Sequence, residues 1–112
     1  MPAYNRIDRI SEEVKKELSV IVRELKDPRI TTVVSVVNVT VTKDLRFAKA
    51  YISVFGNPDT QKGVMDALKS ASGFIRKEIG RRVNLRNTPE FTFELDTSIE
   101  YGAHINEVLK RL

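Results

Sequence analysis

Apolar residues recur at steps of three and four from Ile7 through Ile10, Val14, Leu18 and Ile21 to Leu25. This spacing predicts an amphipathic helix of about five turns. Asn5 is placed to cap it, and Asp8 lies near the positive end of its dipole. Lys26-Asp27-Pro28 ends it, because Pro28 drives Asp27 out of helical geometry. The opposite face carries Glu12, Glu13, Lys15, Lys16 and Glu17, a mixed solvated surface. From Val33 to Thr42 the period shortens to two, with Val37, Val39 and Val41 alternating with Asn38, Thr40 and Thr42. Lys43-Asp44-Leu45 supplies a turn, and Phe47 to Phe55 returns as the second strand of a hairpin. That strand sets Ala48, Ala50, Ile52 and Val54 on one face and Phe47, Lys49, Tyr51, Ser53 and Phe55 on the other. The second face fits a base-stacking platform, and it fits equally a surface packed under a helix.

Gly56-Asn57-Pro58-Asp59 reads as a turn, with Asp59 or Thr60 capping the helix that follows. This helix runs to about Val83, with Val64, Leu68, Ala71, Ile75 and Ile79 on its inner face. Lys62, Lys69 and Arg76 recur at seven on a face away from that stripe. Ala71-Ser72-Gly73 interrupts it with small residues; a glycine costs roughly 1 kcal/mol against alanine in a helix, so a kink or a close backbone approach is expected there. If the kink needs glycine for its backbone angles, Gly73→Ala should cost stability as well as binding. A solvated basic helix face accounts for the same pattern. Residues 84–89 form a connector, and Glu90 to Asp96 a third strand with Phe91, Phe93 and Leu95 inward. A last helix is expected after Asp96-Thr97-Ser98, with Tyr101, Ile105, Val108 and Leu112 as its apolar face. The order α-β-β-α-kink-α-β-α implies a two-layer α+β domain, with helices on one face of a three-stranded sheet of undetermined strand order.

Composition narrows the classes. A chain of 112 residues with 41% hydrophobic and 30% charged residues fits one folded domain spanning 1–112. Without cysteine and with one histidine, His104, neither a disulfide framework nor a zinc site of the usual kind is expected. No apolar run reaches membrane-span length and no signal-peptide core precedes the first helix, so cytoplasmic residence is expected. The net charge of +4 is unevenly placed. Residues 62–86 hold seven cations and two anions (+5), whereas residues 87–112 hold five anions and two cations (−3). A polyanion would therefore feel one face. The glycines are scattered singly and the serines lack an evident base, so the chain does not read as an enzyme.

Arg6 and the helix after it, Lys26-Asp27-Pro28-Arg29-Ile30, the run from Ser35 to Leu45, Ala48 to Val54, Ala71 to Arg76, Asn84 to Phe93 and Asp96 to Ile99 follow one another in this order. Together they carry a resemblance to the ribosome-binding factor A family of bacterial small-subunit assembly factors. It implies a type II KH-like fold whose Gly-x-x-Gly loop is replaced by an Ala-x-Gly kink, here Ala71-Ser72-Gly73. It further implies a single-domain RNA-binding protein that joins free small (30S) subunits, assists 16S rRNA maturation including the 5′ end, and supports growth in the cold. An assembly GTPase is implicated in release, and relatives often carry an extension beyond the last helix. The expected protein is a monomer with no cofactor, metal or membrane partner.

The candidate RNA-binding residues are Lys69, Ala71, Ser72 and Gly73 at the kink, with Arg76, Lys77, Arg81, Arg82 and Arg86 beyond it. Lys43 and Arg46, which flank the hairpin turn, are expected to reach another part of a large rRNA site. Replacing Arg76, Lys77, Arg81 and Arg82 by alanine is expected to weaken subunit binding with little change in melting temperature. Arg6 and Arg9 carry less weight because the first helix is charge-balanced. The rival reading is a protein-interaction module docking through Phe47, Tyr51 and Phe55; a steep salt dependence of RNA binding separates the two.

Overall fold

The apolar stripe beginning at Ile7 becomes helix α1 (Arg6–Glu24), which buries Ile10, Val14, Leu18, Ile21 and Val22. The computed structural model describes residues 6–96, so the Asn5 cap and the last helix lie outside the described residues. Past α1 the chain turns at Asp27, whose carbonyl accepts from the Ile30 amide at 2.9 Å. Its carboxylate accepts from the Arg29 amide at 2.8 Å and from the Arg29 guanidinium at 3.0 and 2.8 Å.

Strands β1 (Val34–Val41) and β2 (Phe47–Val54) pair antiparallel, and β3 (Glu90–Leu95) joins the other edge of β2 in parallel. The sheet order is thus β1-β2-β3, with β2 central. A parallel third strand requires a crossover, supplied by α2 (Pro58–Ser70) and α3 (Ser72–Arg82). The fold is α+β, with helices against one face of a mixed sheet, consistent with the type II KH-like expectation.

In β2 the predicted phase holds, because Ala48, Ala50, Ile52 and Val54 are all buried. In β1 it slips. Val36 pairs with Ile52 and Asn38 with Tyr51, leaving Val37 as the extra residue of a bulge. The buried valines are therefore Val36, Val39 and Val41, and Val37 leaves the predicted inward set. Strand β3 has the predicted alternation, with Phe91, Phe93 and Leu95 only half-buried because β3 is an edge.

The cap of α2 also differs from expectation. The Asn57 side chain accepts from the Thr60 amide at 2.8 Å, so Asn57 caps and Thr60 is capped. Pro58 then occupies the first helical position, where its missing N–H costs nothing. Val64, Leu68, Ile75 and Ile79 are fully buried across both limbs of the broken helix, joining α1 and the sheet in one core.

Candidate nucleic-acid interface

Ala71 alone separates α2 from α3, at φ −88° and ψ 4°. Its amide donates to the Ala67 carbonyl at 3.0 Å and its carbonyl accepts from the Ile75 amide at 2.8 Å, so the bend is confined to one residue. No side chain caps the start of α3. Gly73 has no positive φ, and a Cβ built there meets nothing within 4 Å. The glycine is not demanded by backbone angles or by neighbours, so the condition under which Gly73→Ala would cost stability is not met. What it leaves is open space over the kink. Beside it, Lys69, Ser72 and Asp66 rim a cleft of about 380 Å³ floored by Met65, Phe91 and Phe93. The two phenylalanine rings are stacked, their centroids 6.2 Å apart.

Beyond the kink, the cations of α3 divide by what they touch. Glu78 is buried and receives Arg81 at 2.8 Å and Arg82 at 3.2 Å. The hydrogen bond from Arg81, followed by that from Arg82, holds the Glu78 carboxyl below the usual carboxylate range despite its burial. Arg82 also reaches Glu24 at 3.4 Å, tying α3 to the end of α1. Arg76 lies flat against the connector, its Nε and Nη2 donating to the Thr88 carbonyl at 3.2 and 3.1 Å, with Glu90 at 3.9 Å. Three of the four cations proposed for replacement thus have partners within the protein. Their joint replacement would therefore remove these contacts as well as charge, Arg82 being the most embedded with a side chain 28% exposed. Lys77 is exposed, and no ion pair joins it to another described residue.

The fold brings together cations that are remote in sequence. Parallel pairing sets Phe47 beside Glu90 and carries the connector past the hairpin turn. Arg46 and Arg76 consequently face one cleft of about 400 Å³ with Phe47, Asn87, Thr88 and Glu90. A second cleft, of about 340 Å³, gathers Arg6, Lys43, Arg86 and Asp44, and shares Asn87 with the first. The hairpin-turn end therefore holds five cations (Arg6, Lys43, Arg46, Arg76, Arg86) against Asp44 and Glu90, a balance of +3. The outer part of α3 holds Lys77, Arg81 and Arg82 against Glu78 and Glu24, a balance of +1. Lys43 and Arg46 are thus continuous with Arg76 and Arg86 at one end of the domain. Arg6 was discounted because charge was counted along its own helix; its place at the first described turn of α1, against the hairpin, is what gives it weight.

The turn that presents Lys43 and Arg46 is braced. The Thr42 amide donates to the Phe47 carbonyl at 2.9 Å, and the Phe47 amide donates to the Thr42 hydroxyl at 3.1 Å. The Asp44 carboxylate takes the Thr42 hydroxyl at 2.7 Å and the Arg46 amide at 3.1 Å, which lowers its pKa from the ordinary value. Leu45 adopts φ +60°, costing roughly 1 kcal/mol or more in backbone strain, and is held there by a side chain buried in the core. Of the open sheet face, Phe47 and Phe55 stay exposed and Tyr51 half-buried, so no described helix covers them.

The sequence model of the family Ribosome-binding factor A matches residues 6–109. A Ribosome-binding factor A of Caldanaerobacter subterraneus is 56% identical over 108 residues, covering 96% of this chain and 88% of the relative. The solution structure of a Thermotoga maritima protein assigned as a ribosome binding factor A superposes with a TM-score of 0.76 at 32% identity, covering 89% of this chain and 95% of the other. A homology model of the Thermus thermophilus ribosome binding factor A, as fitted into a cryo-electron microscopy map of its complex with 30S, superposes with a TM-score of 0.66 at 25% identity, covering 78% of this chain and 91% of the other.

Proposed function

The chain belongs to the ribosome-binding factor A family, and on that premise we propose that it binds the free small ribosomal subunit through 16S rRNA. The observation that carries this reading is the full-length family match, together with the relative fitted into a 30S complex. The charge distribution supports it, because cations from α1, the hairpin turn, α3 and the connector converge at one end of the domain. Phosphate contacts there supply affinity, and the kink, with its open space at Gly73 and Lys69 alongside, accepts backbone in the manner of a KH loop. Lys77, Arg81 and Arg82 lie on the flank and add attraction of shorter reach, since Glu78 and Glu24 offset most of their charge. The protein acts without catalysis, cofactor or metal, as a cytoplasmic monomer. It biases folding of the immature subunit, including the 5′ end of 16S rRNA, supports growth in the cold and leaves with the help of an assembly GTPase.

Co-sedimentation tests this reading. The full chain should pellet with free small subunits and not with complete ribosomes, and the bound fraction should fall as salt rises. Equal pelleting with both, or binding indifferent to salt, would contradict it. Docking through the open sheet face alone predicts such indifference.

A further inference from the structure

We infer that the cleft at Phe47 is a subsite for one unpaired RNA nucleotide, its base stacked on the Phe47 ring and its phosphates met by Arg46 and Arg76. This rests on the RNA-binding reading above and adds a base-contacting site apart from the kink. Phe47 opens the central strand with a side chain on the open face, 53% exposed, although a buried alternative exists one residue later at Ala48. An isolated exposed ring needs no special cause. This one lines a cleft of about 400 Å³ together with Arg46 and Arg76, within the roughly 300–1,000 Å³ typical of small-ligand pockets.

The parts are held before any ligand arrives. Phe47 has its amide on the Thr42 hydroxyl at 3.1 Å and its carbonyl on the Thr42 amide at 2.9 Å. The Arg46 carbonyl receives the Glu90 amide at 2.9 Å, and the Asp44 carboxylate fixes the Arg46 amide. Arg76 is oriented by the Thr88 carbonyl, a neutral partner, with Glu90 at the edge of ion-pair distance, 3.9 Å from Nη1. Such bracing lowers the ordering cost of binding. Asn87 offers a side-chain donor and acceptor to a base edge, and it is shared with the neighbouring cleft of Lys43 and Arg86. A strand leaving the Phe47 subsite therefore stays on cationic surface. Glu90 is the one anion of the cleft and selects against a second phosphate at its position, leaving room there for a base edge that donates. Duplex RNA hides its bases in the stack, so the ring specifies a single-stranded segment.

The test uses the fluorescently labelled full chain, titrated with purified small subunits and separately with an octanucleotide of single-stranded oligoadenylate. Base–aromatic stacking predicts that Phe47→Leu weakens both by about five-fold or more. Phe47→Tyr, which keeps the ring, should stay within about two-fold. Arg46→Ala should reduce the salt slope by about one, while Phe47→Leu leaves the slope unchanged. Far-ultraviolet melting of each variant at the wild-type temperature shows that the fold is kept, as an exposed side chain requires. Wild-type affinity of Phe47→Leu for both probes would overturn the subsite and leave the RNA-binding reading standing. Loss on subunits with none on the oligonucleotide would make Phe47 a protein contact and also overturn it. Absence of salt-dependent binding by the wild-type chain would overturn the reading and the subsite together.

Discussion

Gly73 and Gly80 lie in the same short helix under different constraints. A Cβ at Gly80 would stand 2.9 Å from the Thr88 hydroxyl oxygen, whereas one at Gly73 meets nothing. Helix propensity favours alanine at either site by up to about 1 kcal/mol. At Gly80 overpacking of roughly 1–3 kcal/mol opposes that gain, so Gly80→Ala is expected to lose about 1 kcal/mol net in urea unfolding. In a Thr88→Ala background the same change should become neutral or stabilising, and simple additivity would show that the close approach does not matter. Gly73→Ala should preserve stability while weakening subunit binding, because the new methyl occupies the space over the kink; unchanged binding would remove Gly73 from the interface. Asp27 carries the acid sensitivity most open to test. Its hydrogen bonds from the Arg29 guanidinium and amide lower its carboxyl from 3.8 to about 2. The folded form is thus favoured above the ordinary carboxylate range, and that contribution disappears as pH falls through about 2. Asp27→Asn should flatten this part of the acid unfolding curve, and an unaltered curve would contradict the assignment.

Among the elements, β1 shows where pattern reading stops. Strand β2 and α1 were legible because each buries one unbroken face, so period alone sets which residues point inward. The bulge at Val37 was not, because the extra residue is defined by pairing with Ile52 and Tyr51 on another strand. The structure predicts that Val39→Ala costs roughly 1–3 kcal/mol and Val37→Ala under about 1, measured by urea unfolding. Equal losses would restore the unbulged phase. The kink was legible from Ala71 and Gly73 sitting inside an apolar stripe, but the roles of the following cations were not. Arg81 and Arg82 read as free charge until Glu78 and Glu24 are placed against them. Because Arg82 joins two helices and Arg81 only its own, Arg82→Ala should lower Tm by several degrees and Arg81→Ala by less. The reverse order would show that the link to α1 contributes nothing.

For the molecule as a whole, topology decides where its charge is effective. Arg6 comes from α1, Lys43 and Arg46 from the hairpin turn, Arg76 from α3 and Arg86 from the connector, which reaches the turn because β3 enters in parallel beside β2. No count along the sequence reveals that end, which is why the basic stretch of residues 62–86 seemed to centre on α3. The central claim is that this assembled end, more than the outer face of α3, supplies the salt-dependent attraction to small-subunit RNA. The most direct measurement is the affinity of the full chain for purified small subunits across a salt series, for the wild type and for the Lys43→Ala/Arg46→Ala/Arg86→Ala variant. Those side chains are exposed and make no ion pair within 4 Å with another described residue, so the variant is expected to keep the fold. The account predicts a steep fall of log affinity with log salt in the wild type, with the slope shallower by about two to three in the variant. A wild-type slope near zero, or a variant slope equal to the wild type's, would contradict it.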